Sequence, residues 1–403
     1  MSANYNVFQQ VFALSSASNL LRNLPGPAAT LQKKLAAALP AVLQKIGSGW
    51  EVVWGPVVWK AGDSGSTAQG NTWFIAKNNA VPFDDGTTCC TYVVAVAGTS
   101  GIYDWIREDG NIAQVVDLNK WVSISNEPTT IPNNNLLPPD NAYISAGFGE
   151  AVFQLLNNSP PNGSPGYPNN LPQFLQSLPA PPSSGPAPRL VVTGHSLGGA
   201  LSPTLAYSLL TAKALGPFTQ EDVLVYPTAG PSPGNAQFST NFSQYFPPSG
   251  SLGGYQCWNT NIVNKLDIVP CAYATDPQYQ PQILQNILTM LGSPPPFVGL
   301  IIKALMYSAK KLYVPIKASF FDSKFPYPPA QSTPWKTQAL NQHIKAYRWG
   351  ILGISPSDRL FDAPEQDELA QYPVLSTITH VERAIESSNK ALEEAGINMR
   401  TDE

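Results

Sequence analysis

Three kinds of residue in this chain could together perform nucleophilic catalysis: Ser196, Asp267 and a histidine, either His343 or His380. Ser196 stands at the centre of Gly194-His195-Ser196-Leu197-Gly198, a G-x-S-x-G pattern. Leu190, Val191 and Val192 precede it, and small residues after it lead into an apolar helical run. That order predicts a strand turning sharply into a helix, with one serine hydroxyl held at the apex. Glycines on both sides let strand and helix approach each other closely. The helix start also supplies N–H groups for an oxyanion developing on an attacked carbonyl. A tight turn whose serine only caps the helix is the plainer alternative.

Asn261 to Val269 reads as a strand with Asp267 at its carboxyl end, where a carboxylate can orient a histidine and stabilise its charged form. Both later histidines satisfy the chain order serine, acid, histidine. His380 lies among Glu382, Arg383 and Glu386, the composition of a solvated helix face, whereas His343 precedes an apolar stretch with Tyr347 and Trp349. His343 is therefore the favoured base and His380 the alternative. His195 is expected to turn away from Ser196 into packing. Upstream, Thr91 to Ala97 is apolar throughout, as suits a strand covered on both faces, and it ends in Gly98-Thr99-Ser100-Gly101. The N–H of Thr99 could pair with that of Leu197 as the two donors of an oxyanion hole.

The elements that must position these groups follow from periodicity. Residues 5 to 22 and 30 to 46 read as two helices packed outside a sheet. Strands are expected at 50 to 60, 72 to 77, 91 to 97, 190 to 192 and 223 to 228, with a helical run from 143 to 156. Asn157 to Pro188, rich in Pro, Gly, Asn and Ser, is expected to be a long surface loop or flexible insertion. Pro203 predicts a kink in the helix after Ser196. Tyr279 to Pro315 suggests two short apolar helices split by Pro294-Pro295-Pro296. They would be a cap over the serine, a surface for an oily substrate, or core.

Composition narrows the function further. Charged residues are only 12% and proline numbers 40, which suits a compact body with proline-rich loops. A net charge of −4 without a basic block argues against nucleic acid as a partner. Cys89, Cys90, Cys257 and Cys271 match neither a zinc site nor a disulfide framework, so buried thiols are expected and no metal or cofactor is implied. Neither a signal-peptide pattern nor an apolar run of 18 residues appears, so a cytoplasmic location is the default, with secretion as the alternative.

Taken together these blocks resemble the class 3 lipases, the fungal-type family of the α/β-hydrolase superfamily, over about residues 72 to 352. Thr91 to Trp105 resembles the family's oxyanion strand running into its lid, and Ala146-Gly147-Phe148 its helix start. Gly194 to Ala200 reproduces the elbow GHSLGGA. Gly230 to Asn235, Asn264 to Pro270 and His343 to Tyr347 resemble the later blocks. The resemblance implies an α/β-hydrolase fold, a mostly parallel sheet covered by helices, with a lid; the apolar stretch 279–315, longer than the family's usual spacing, would add an inserted apolar helical cap. It implies Ser196 as nucleophile, Asp267 as acid, His343 as base, Thr99 and Leu197 as the oxyanion hole, and a lid presenting Ile102, Trp105 and Ile106. Ala97, Ser145 and Ser232 depart from the arginine, histidine and arginine usual there.

The expected organisation is N-terminal helices over 1–48, a catalytic domain over 49–354 with 279–315 inserted, and a C-terminal helical extension over 355–403. The expected activity is hydrolysis of triacylglycerol or other long-chain lipid esters at an oil–water or membrane interface. Phospholipase A1, short-chain or feruloyl esterase, and a non-catalytic partner-binding protein are the alternatives.

Overall fold

A computed structural model describes residues 5–21, 24–60, 70–98, 111–134, 136–251, 253–325 and 333–355. Thr99, the lid positions Ile102, Trp105 and Ile106, and His380 lie outside the described residues.

The chain is built on a seven-stranded sheet: β1 (Glu51–Trp59), β2 (Asn71–Pro82), β3 (Thr88–Val96), β4 (Arg189–His195), β5 (Val223–Thr228), β6 (Asn261–Asn264) and β7 (Ala318–Phe321). They lie side by side in chain order. β1, β2 and β3 pair antiparallel, and β3 onward pairs parallel. This is the mostly parallel sheet of the α/β-hydrolase fold. Antiparallel neighbours can be joined by turns, while parallel ones need crossovers, and the long connections fall between β3 and β7 accordingly. Val93 to Val96 and Leu190 to Val192 are buried completely, as a central strand covered on both faces requires.

Helices cover the two faces. α1 (Val7–Ser18) packs on β3 and β4, with α2 (Ala28–Ile46) beside it against β1. Asn6 opens α1 with a reciprocal capping box to Gln9, a sequence signal for a helix start. α3 (Ala146–Asn157) and α4 (Leu197–Thr211) pack on one another, and their buried residues share one apolar cluster with Val94, Val96, Leu190 and Val192. The intervening residues Val93, Ala95 and Val191 turn to the opposite face by strand alternation. Ser145 begins α3 by accepting from the Phe148 N–H at 3.1 Å. A serine at the position where the family usually has histidine thus acts as the N-cap.

Several expectations change in detail. Asn157 to Pro188 is not a bare loop: it holds a short helix, Leu171–Ser177, opened by a capping box between Asn170 and Gln173. It packs back on β1, where Trp54 Nε1 donates to the Asn169 carbonyl at 2.8 Å. α4 runs unbroken through Pro203. The strand expected to reach Val269 ends at Asn264, so Asp267 stands in the turn after β6. In the 279–315 stretch only the second segment is an α-helix, α5 (Pro296–Ala309), and the first is a 3₁₀ turn over Leu284–Leu288. Leu284, Ile287, Leu291, Val298 and Ile302 belong to the main apolar cluster, so one side of this stretch is core. All four cysteines are free thiols, three buried and Cys90 half-buried.

Candidate active site

Ser196 sits between β4 and α4 with φ 62° and ψ −124°, a conformation that L-residues rarely adopt and that neighbouring structure must hold. Its N–H donates to the Thr228 carbonyl at 3.0 Å, and its carbonyl accepts from Gly199 at 2.8 Å. Gly194 is required here, because a Cβ at that position would collide with the Gly198 backbone across the turn. Ser196 as a whole is 8% exposed. Leu197 is the first residue of α4, where backbone N–H groups have no partner within the helix.

The histidine comes from a helix far along the chain, 148 residues beyond His195. α6 (Trp335–Leu340) continues through one π turn, Asn341–Lys345, into α7 (Ala346–Leu352), and His343 is in the middle of that turn. Wide turns of this kind re-aim side chains and recur at functional sites. His343 Nδ1 lies 2.9 Å from Asp267 Oδ2, and both groups are buried. The other carboxylate oxygen accepts from the Val269 N–H at 3.0 Å. With a carboxylate facing it, Nδ1 carries the imidazole proton and leaves the Nε2 lone pair for a substrate or nucleophile proton.

The same structure brings in residues to which the sequence assigned no role. The Tyr347 hydroxyl donates to Asp267 Oδ2 at 2.9 Å and accepts from the Asn264 N–H at 3.0 Å. Burial, reinforced by the Asp267 charge, holds that phenol far above its ordinary pKa, so it remains a neutral donor. Asn264 Nδ2 in turn donates to the Gln342 carbonyl and side-chain oxygen at 2.8 and 2.9 Å, tying the π turn to the end of β6. The H-x-x-x-Y spacing was a visible signal for Tyr347, and the block from Asn264 to Pro270 was one for Asn264, though neither tells which groups they meet. Cys271 nearby is pushed up by burial and by the Asp267 charge, so it stays a thiol and does not compete as nucleophile.

His195 does not simply turn into packing. Its Nε2 lies 2.8 Å from the His343 carbonyl and its Nδ1 2.9 Å from Thr228 Oγ1. A carbonyl can only accept, so Nε2 carries the proton and Nδ1 accepts from the threonine hydroxyl. The two histidine rings are 4.8 Å apart. The residue before the serine therefore holds the backbone of the residue proposed as base.

The family model for lipase (class 3) matches residues 93–276. Over those residues the chain is similar to the class 3 lipases. The match supports a carboxylic ester hydrolase of lipase type, and the matched family implies a lipid as the substrate class. The match covers Ser196 and Asp267, while His343 lies beyond it.

Among solved structures the chain is similar to M37 lipase, with 23% identity over 94% of this chain and 99% of that one, at a TM-score of 0.67. That likeness shows the fold. The lipase from Rhizopus microsporus var. chinensis shares 17% identity over 67% of this chain and 70% of that one, at a TM-score of 0.36. Lipase II from Rhizopus niveus shares 16% over 66% and 74%, at 0.38. No curated relative matches the sequence.

Proposed function

We propose that this chain cleaves triacylglycerol or other long-chain lipid esters by two-step acyl transfer, with Ser196 as nucleophile, His343 as general base and Asp267 as the orienting acid. The observation that carries this reading is the Asp267 carboxylate, which accepts from His343 Nδ1 at 2.9 Å within a buried set of hydrogen bonds beside the serine elbow. His343 Nε2 takes the Ser196 proton as Oγ attacks the ester carbonyl, and gives it to the leaving alcohol. The acyl-enzyme is then hydrolysed by water activated at the same nitrogen. The N–H groups of Leu197 and Thr99 bind the oxyanion, and Asp267 stabilises the imidazolium formed in each step.

Preference for a long-chain, interfacial substrate is supported by α5. Leu300 and Tyr307, seven residues apart on one helix stripe, are 48% and 50% exposed, while Val298 and Ile302 on the same helix are buried. An apolar stripe kept in water suits a lipid surface. Among the described residues no helix is long and apolar enough to cross a membrane.

The test is hydrolysis of p-nitrophenyl esters with chains of two to sixteen carbons, by wild type and Ser196→Ala, below and above substrate solubility. The expected result is turnover that rises with chain length and past the solubility limit, and that falls about a millionfold in the variant if the three groups act as a unit. Serine-dependent turnover confined to short soluble esters would make the protein an esterase. Turnover indifferent to Ser196→Ala would overturn the catalytic assignment.

A further inference from the structure

α1 lies outside the residues that match the lipase family, yet it packs on β3, on the strand leading to Ser196 and on α7. Phe12 of α1 meets the edge of the His195 ring at 6.0 Å and stacks on Tyr347 at 6.5 Å. Asn19, the residue that ends this helix, reaches the end of β3: the Gly98 N–H donates to Asn19 Oδ1 at 2.9 Å. The amide is oriented from its other end, where Nδ2 donates to the Ser15 carbonyl at 3.0 Å and to Ser18 Oγ at 3.5 Å. With Nδ2 so engaged, the oxygen must face Gly98.

Gly98 itself is seated on the elbow. A Cβ built there would lie 2.6 Å from the His195 carbonyl oxygen and 2.9 Å from Ser196 Cβ, so only a bare backbone fits. Asn19 presses that backbone from one side while the serine turn bounds it on the other.

We propose that Asn19 is a positioning residue for the nucleophile: by fixing the Gly98 peptide it holds the end of β3 against the His195–Ser196 turn. This rests on the reading above, in which Ser196 is the nucleophile. A misplacement of about 1 Å at the reacting groups costs about a hundredfold in rate. A buried side-chain acceptor that fixes the peptide seated on the elbow therefore acts on the rate through geometry, without touching substrate.

The experiment measures p-nitrophenyl butyrate turnover and inhibition by an alkylboronic acid, which forms a tetrahedral adduct on a nucleophilic serine. Asn19→Ala is compared with wild type and with Gln10→Ala, a change on the same helix whose amide instead accepts from Trp50 Nε1. Asn19→Ala is expected to lower kcat at least tenfold with KM within twofold, to weaken the boronic acid by a similar factor, and to leave the pH profile in place. Gln10→Ala is expected to keep kcat within twofold even where its melting temperature falls as far. If Asn19→Ala does not fold, Asn19→Ser is read in the same way.

A kcat within twofold of wild type, a kcat loss without loss of boronic acid affinity, or an equal loss in Gln10→Ala would each overturn the proposal. Failure of the parent reading has a separate signature, wild-type turnover that survives Ser196→Ala, and it would overturn this inference as well.

Discussion

Tyr347 and His343 donate to the same oxygen of Asp267, each at 2.9 Å, from positions four residues apart on one helix. The carboxylate is thereby fixed from two sides, and a regular helix repeat would bring both side chains to one face. Tyr347→Phe is expected to lower kcat by on the order of tenfold to a hundredfold with little change in KM, since Asp267 loses one of the two bonds that aim it at the histidine. It also leaves the buried Asn264 N–H without its acceptor, at a cost of about 1–3 kcal/mol of stability. Steady-state kinetics with thermal unfolding checks both. An unchanged kcat would make the tyrosine purely structural.

The choice of base is tested by two single variants. His343→Ala is expected to reduce kcat by about a millionfold, as removal of one member of a cooperating set does, and His380→Ala to stay within about twofold. The reverse pattern would transfer the role to His380.

The exposed stripe on α5 makes a claim about substrate physical state. Leu300→Asp with Tyr307→Asp is expected to lower hydrolysis of emulsified triolein about tenfold, from the loss of apolar area at the interface, and to leave soluble p-nitrophenyl acetate unaffected. Equal loss on both substrates would place these residues in the fold instead.

Away from the site, Arg189 at the start of β4 pairs with Asp85 at 2.5 Å. Its hydrogen bond, helped by those from Thr87, lowers the Asp85 pKa from 3.8 to about 2. A carboxyl depressed on folding stabilises the native state above its unfolded pKa, and that contribution disappears as pH falls from about 4 toward 2. The carboxylate is half exposed, so Asp85→Asn is expected to cost under about 1 kcal/mol at pH 7. The difference should shrink with acid and with salt in denaturant titrations. A difference independent of pH would trace the effect to packing.

Local order alone determined the elbow. Leu190 to Ala200 combines a run of β-formers, glycines without side chains to collide and small helix-opening residues, so strand, turn and helix follow from near-neighbour sterics. The same holds for the apolar β3 and for α1 with its Asn6 cap. Where the sequence reading slipped, a local signal was outweighed: the N-x-x-Q cap at Asn170 within the proline-rich stretch, and the early end of β6 before Asp267.

What the tertiary structure decided is which distant groups meet. His343 reaches Asp267 across 76 residues through a π turn that no periodicity marks. Tyr347, His195 and Asn264 meet the acid and the base because separate elements converge at the ends of parallel strands. Asn19 joins them only because α1 lies on β3, 79 residues from Gly98 along the chain. Sequence pattern encodes contacts within a few residues. The meeting of buried polar groups depends on how whole elements pack, and each such group must find its partner there or remain unpaired.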